Sequence, residues 1–165
     1  MITGKTRVFA LVGHPIRHSL SPAMHNELFR RKGIDAVYVP LDTRPDDADK
    51  VAQGIRVLAL AGCNLTVPFK ERVIPGLDAL SPAAACAGAV NVVVNVDGRL
   101  EGHNTDGEGY LRALRDELGI DPAGRDVAIL GAGGTARAVA AALAGAGVAS
   151  VCFFNRSAAR AEVAV

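Results

Sequence analysis

Tryptophan is absent from this 165-residue chain, and five phenylalanines and two tyrosines are its whole aromatic complement. So few flat rings argue against single-stranded nucleic-acid binding, which stacks bases on such platforms. Net charge is lacking too. The 18 Lys and Arg residues meet 17 Asp and Glu residues, for +1 overall, so no global field draws the chain toward nucleic acid or an anionic membrane. No apolar run nears the roughly 20 residues that cross a bilayer. The early run Val8 to Val12 is too short for a signal peptide and leads straight into Gly13-His14-Pro15. Cysteine is scarce, with Cys63, Cys86 and Cys152 lacking any CxxC spacing. They read as buried, reduced thiols of a cytoplasmic protein. His14, His18 and His25 have neither Cys partners nor HExxH spacing, so no metal is expected.

Half of the residues are hydrophobic and 21% are charged, as in globular chains with a real core. Apolar runs alternate with helical patterns, which indicates an α/β fold with a mainly parallel sheet. Strands are expected at Arg7 to Val12, Ala36 to Leu41 and Cys63 to Val67. A helix opens at Ser21-Pro22, with the serine as N-cap, and stops near Gly33. Another is expected from Pro45 to Ala61, ended by Gly62. Ser81-Pro82 repeats the capping pattern. Val90 to Val96 and Arg99 to His103 flank Asp97-Gly98, the strongest hairpin signal in the chain. Thr105 or Asp106 caps the next helix, which runs to Leu118.

Val127 to Leu130 then reads as a buried strand, followed directly by Gly131-Ala132-Gly133-Gly134-Thr135-Ala136. In this G-x-G-x-x-A pattern the first glycine makes the tight turn and the second admits a pyrophosphate. The small third residue lets helix and strand pack closely. The following helix would aim its free N–H groups at the phosphates. A second strand, Val151 to Phe154, ends in Asn155-Arg156-Ser157, with Arg160 beyond and no acid before Glu162. An acid there would bind a ribose 2′-hydroxyl, whereas arginine accommodates a 2′-phosphate, so NADP is the expected cofactor. The chain thus reads as an N-terminal, mainly parallel α/β domain with one antiparallel strand (residues 1–105). The first half of a Rossmann dinucleotide-binding domain follows (106–165).

Upstream lie polar segments richer than structure alone requires: VGHPIRHSLSPAMHN, CNLTVPFK, GAVN and GHNTDG. With GAGGTAR and NRS, in this order and spacing from Val12 to Arg160, they resemble the shikimate dehydrogenase family. That family reduces 3-dehydroshikimate to shikimate with NADPH, on the route to aromatic amino acids. The resemblance implies a catalytic pair at Lys70 and Asp106. It implies that Ser19, Ser21, Asn64, Thr66 and Asn91 hydrogen-bond the hydroxyls and carboxylate of the substrate. A polyhydroxylated acid needs such a set, because each unpaired buried polar group costs about 1–3 kcal/mol. Ordinary duties compete with these roles: Lys70 as a solvated charge, Asp106 and Ser21 as helix caps, Asn91 as a backbone partner. Val92 stands where the family usually has threonine.

The expected partner is therefore a small molecule, shikimate or 3-dehydroshikimate, with neither nucleic acid nor membrane, in a monomer or homodimer. A complete dinucleotide fold has two βαβαβ halves. This chain reaches two strands and a helix start, with Val163 and Val165 in mid-pattern, and so reads as the front portion of a longer enzyme. The alternatives are a quinate/shikimate dehydrogenase with broader cofactor use, or a non-catalytic shikimate-binding fragment. In an intact enzyme, Arg156→Ala should weaken NADP binding about ten- to a hundredfold and leave NAD binding almost unchanged. Equal losses for the two cofactors, measured by titration, would overturn the assignment.

Overall fold

The computed structural model describes residues 1–162, the side chain of Arg160 excepted. Arg160 as a cofactor contact, and the pattern at Val163 and Val165, therefore lie outside what is described. In chain order the elements are β1 (Arg7–Gly13), α1 (Ser21–Lys32), β2 (Ala36–Asp42), α2 (Val51–Val57), β3 (Gly62–Leu65), α3 (Phe69–Arg72), β4 (Ala79–Leu80), α4 (Pro82–Ala87), β5 (Val92–Val96), β6 (Arg99–His103), α5 (Asp106–Asp116), β7 (Asp126–Leu130), α6 (Gly134–Gly145), β8 (Ser150–Phe154) and α7 (Ala158–Glu162). They form two compact units. The first comprises Met1–Leu80 and Val90–His103; the second comprises Ser81–Ala89 and the chain from Asn104 onward. By packing, the segment Ser81–Ala89 thus groups with the second unit.

The first unit is a six-stranded sheet in the order β2-β1-β3-β5-β6-β4. β1 pairs in parallel with β2 and β3, and β4 pairs in parallel with β6. β5 alone is reversed, antiparallel to both β3 and β6. Period-2 alternation sorts the faces. Phe9 and Leu11 share one face with their partners Tyr38 and Asn64. There Phe9 and Phe29 of α1 pack against the buried cluster of Leu11, Ile16 and Tyr38. On the other face, Val12 and Leu41 line a groove with Val51, Ile55 and Leu58 of the α2 region. The β5–β6 turn holds Asp97 and Gly98 at φ 51° and 87°, the paired positive values that a two-residue hairpin requires.

Three local expectations are corrected. The segment expected as one helix from Pro45 to Ala61 is instead a 3₁₀ stretch over Pro45–Lys50 with a kink at Asp47, then α2, which ends at Val57. Gly62 is not its stop but the first residue of β3. A Cβ at Gly62 would lie 2.7 Å from the carbonyl oxygen of Val93, so the glycine serves the close approach of β5. Ser21 is not the cap of α1: Leu20 holds that position without a side-chain bond. Ser19 Oγ instead accepts the Ser21 N–H at 3.3 Å. Ser81 does cap α4, its Oγ accepting from the Ala84 N–H.

In the second unit β7 and β8 pair in parallel, Asp126 opposite Ser150 through Leu130 opposite Phe154. This strand pair is not buried on both faces as its apolar run suggests. Exposure alternates along β7, with Leu130 and Phe154 open to solvent. The helices of the unit pack on one another through small residues. Ala87 and Ala89 meet Ala138 of α6. A Cβ on Gly107 of α5 would strike the Ala138 carbonyl oxygen and come within 2.8 Å of the Ala142 methyl, whereas Gly109 has nothing within 4 Å. Gly107→Ala should therefore destabilise the protein by about 1–3 kcal/mol through overpacking. Gly109→Ala, in the same helix, should stabilise it by roughly 0.5–1 kcal/mol. Thermal melts of the two variants check this, and equal shifts would refute the packing argument.

Candidate functional site

In parallel strands the carboxyl ends gather at one edge of the sheet, where α/β folds bind ligands. β1, β2, β3 and β6 all end at this edge, and the reversed β5 begins there. Register places Val92 beside both Asn64 and His103. Six sequence-predicted residues of the first unit are brought to this edge by their elements. Ser19 and Ser21 follow β1, Asn64 and Thr66 end β3 and its extension, and Asn91 precedes β5. Lys70 arrives in α3, one turn after β3.

Backbone bonds hold them in place. Thr66 N–H donates to the Val12 carbonyl at 2.9 Å, and the Thr66 carbonyl accepts from Phe69 N–H at 2.8 Å, which starts α3. Phe69 is fully buried, an anchor worth about 1.5–3 kcal/mol that fixes the backbone of the next residue, Lys70. The Lys70 carbonyl accepts from Val90 N–H at 2.7 Å. Asn91 bridges neighbouring strands, its N–H donating to His103 O at 3.0 Å and its carbonyl accepting from Leu65 N–H at 2.9 Å. Ser19, Ser21, Asn64, Thr66, Lys70 and Asn91 all remain partly exposed at this edge. A cavity of about 420 Å³ opens beside Ser19, lined also by Arg17, Pro40 and Asp42. That volume lies in the range of small-molecule sites.

The second unit holds the remaining predicted residues. Gly131 has φ 111°, a conformation that favours glycine, and Gly133 is the extended N-cap of α6 with open space where a Cβ would stand. The loop therefore leaves room for a group to approach the helix N-terminus. Beyond β8, Asn155 Nδ2 donates to the Ser157 carbonyl at 2.9 Å and closes the turn. Asn155, Arg156 and Ser157 are exposed.

At the start of α5, Thr105 occupies the cap position, and its side chain makes no capping bond to the helix. The work falls to Asn104, whose side chain is buried. Its Nδ2 donates to the Ala89 carbonyl at 2.9 Å and its Oδ1 accepts from Asp106 N–H at 3.0 Å. Asp106 Oδ2 accepts from Thr135 Oγ1 at 3.1 Å, which ties that carboxylate to the first turn of α6.

Sequence reasoning missed the groups behind the polar edge. Tyr38 is buried and its hydroxyl donates to Asn64 Oδ1 at 2.8 Å. Asn26 clamps the Tyr38 backbone with two bonds of 2.8 and 2.9 Å. His25, a discarded metal candidate, stacks on Tyr38 at 4.4 Å between centroids. His14 Nδ1 instead meets Asp42 Oδ1 at 2.7 Å. The signal for Tyr38 was its place in a strand whose other apolar residues carry no polar group.

Residues 11–93 match the family described as the shikimate dehydrogenase substrate binding domain. The chain belongs to the shikimate dehydrogenase family. A relative named shikimate dehydrogenase (NADP(+)) in Geobacter metallireducens is 49% identical over 98% of this chain and 56% of its own length. One of the same name in Moorella thermoacetica is 51% identical over 97% of this chain and 54% of its own. The shikimate 5-dehydrogenase of Listeria monocytogenes, solved with shikimate and NAD, superposes with TM-score 0.88 at 47% identity. It matches 99% of this chain and 57% of that one. The chain spans about half the length of the shikimate dehydrogenases it matches, and the mixed α/β fold expected from the sequence is the fold they share. No described helix is long and apolar enough to cross a membrane.

The cysteines depart from expectation. Cys63 is buried, and burial pushes its thiol up to about 12, but Cys86 and Cys152 are exposed. Cys152 sits on the open face of the β7–β8 pair. A thiol held protonated is a poor nucleophile. In the native chain an alkylating reagent should therefore modify Cys86 and Cys152 and spare Cys63 until denaturant is added. Peptide mapping that finds Cys63 labelled in the native state would contradict its burial.

Proposed function

We propose that the chain is the substrate-binding and cofactor-binding front portion of an NADP-dependent shikimate dehydrogenase, acting on 3-dehydroshikimate in the cytoplasm. The observation that carries this reading is the convergence of Ser19, Ser21, Asn64, Thr66, Asn91 and Lys70 on one sheet edge, in a chain of the shikimate dehydrogenase family. Residues 1–105 take the substrate in this reading, and 106–165 take the dinucleotide.

The two hydroxyl-bearing serines, Thr66 and the Asn64 and Asn91 amides offer both donors and acceptors to a polyhydroxylated carboxylate. NADPH, when bound, supplies the hydride. The open backbone at Gly131 and Gly133 and the uncapped start of α6 fit its pyrophosphate. Gly131, Ala132, Gly133, Gly134, Thr135 and Ala136 would cradle it, and Asn155, Arg156 and Ser157 would face the adenosine 2′-phosphate. Reduction of a ketone also needs a proton at the carbonyl oxygen. Lys70 is the group proposed to supply or steady it, and Asp106, held by Asn104 and Thr135, is proposed to accept from a hydroxyl of the substrate. The Listeria protein was solved with NAD, so a broader quinate/shikimate dehydrogenase is the second reading. Asn155-Arg156, with no acid at the end of β8, favours the first.

The test is NADPH oxidation with 3-dehydroshikimate, run on this chain and on a protein extended to the relatives' length, with NADH and quinate as competing arms. Turnover by the longer protein with NADPH is expected, and activity in neither protein sinks the proposal. Preference for NADH or for quinate would select the second reading. In the active form, Lys70→Ala should lower kcat by about 10²–10⁴-fold while NADPH affinity holds within about twofold. A loss confined to cofactor binding would remove Lys70 from the chemistry.

A further inference from the structure

Asn64 has partners on two sides. Its Oδ1 accepts from the Tyr38 hydroxyl at 2.8 Å, and its Nδ2 donates to the Asn91 carbonyl at 3.3 Å. A backbone carbonyl only accepts, so the amide nitrogen must face Asn91 and the amide oxygen must face Tyr38. Tyr38 must in turn donate. Its ring is 3% exposed, and burial together with the nearby Cys63 thiol holds the phenol well above its usual range, so the proton stays in place. The ring itself cannot swing away. Asn26 grips its backbone from both sides, His25 stacks on one face, and Leu11 and Ile16 fill the same buried cluster.

The bond to Asn91 is long and the bond to Tyr38 is short, so Tyr38 supplies most of the restraint on the amide. An amide offers two donors and two lone pairs. With one of each used among the described residues, Asn64 keeps one N–H and one lone pair for a ligand at the partly exposed sheet edge.

We infer that Tyr38 is a positioning residue, which locks the Asn64 amide in the orientation that a hydroxyl of the substrate meets. The inference rests on the reading of Asn64 as a substrate contact. It adds that the contact is organised before the ligand arrives, by a side chain that itself never reaches the ligand.

The experiment uses Tyr38→Phe, which removes the donor and keeps the ring, in the full-length enzyme. KM for 3-dehydroshikimate should rise roughly fivefold to tenfold, as one hydrogen bond would account for. Both kcat and KM for NADPH should stay within about twofold, because the lost interaction serves ground and transition states alike. In an Asn64→Ala background the same substitution should change nothing further. An unchanged KM in Tyr38→Phe, an equal penalty in the Asn64→Ala background, or a fall in kcat alone would each overturn the inference.

A second readout needs neither turnover nor the variant. The Asn64 side-chain amide of the unliganded wild-type protein should show an NMR order parameter near that of rigid backbone, about 0.85, and a value below about 0.6 would refute it. If the wild-type enzyme failed to turn over 3-dehydroshikimate, the proposed function would fall. The order parameter would still decide whether Tyr38 holds the amide.

Discussion

The reversal of a single strand is the constraint on which the first unit depends. Parallel strands deliver their carboxyl ends to one edge of a sheet, and whatever follows them can build a site there. A sheet with only parallel strands could offer that edge nothing but strand ends and the loops after them. Because β5 runs the other way, its amino-terminal approach also lies at that edge. Asn91 thereby stands between the ends of β3 and β6, and its two backbone bonds do the bridging. The segment leading to β5 also touches the chain after β3, through the bond from Val90 N–H to the Lys70 carbonyl. One change of direction thus fixes Asn64, Thr66, Lys70 and Asn91 in relation to one another.

The second unit solves a similar problem with small residues and one buried amide. α5 and α6 approach so closely at Gly107 that a methyl group has no room against the Ala138 carbonyl. That approach sets the Asp106 carboxylate within hydrogen-bond distance of Thr135. Asn104 completes the arrangement by spending both ends of its amide on the backbone, at Ala89 and at Asp106. A buried amide with either end unpaired would cost about 1–3 kcal/mol, so the start of α5 has little freedom to wander. The carboxylate is thereby tied to the first turn of α6, directly after the glycine loop.

The sequence made seven of the eight described strands legible, because apolar runs bounded by turn residues mark strands, whereas the two-residue β4 offers no such run. Asp97-Gly98 announced the hairpin, since few residues tolerate the two positive φ values it needs. The helix expected up to Ala61 was less legible. Its apolar periodicity continues past the point where the backbone turns off at Leu58, and Ala59 carries the left-handed conformation that a glycine would have advertised. Gly62 misled for a related reason: glycine marks a helix stop and a close strand approach with the same letter. Of the polar edge, the motifs revealed the residues that face outward. Tyr38 and Asn26 act from behind, across 26 and 12 positions of chain, and no local pattern reports a bond of that span.

What those hidden residues share explains why the outward ones can be so polar. A free asparagine at a sheet edge flips its amide at little cost, presenting donor and acceptor alternately, and a ligand must then fix it at the expense of binding affinity. Asn64 avoids this, because a carbonyl on one side accepts only its nitrogen and a buried phenol on the other gives its proton only to its oxygen. Half of the amide's hydrogen-bonding capacity is committed to the protein so that the other half has a single orientation. The same division holds for Asn91, whose backbone is fully engaged in the sheet, and for Ser19, whose oxygen already accepts from Ser21 N–H. In the proposed reading each group is part scaffold and part site, and its two roles do not compete: the structural bond gives the binding group its direction.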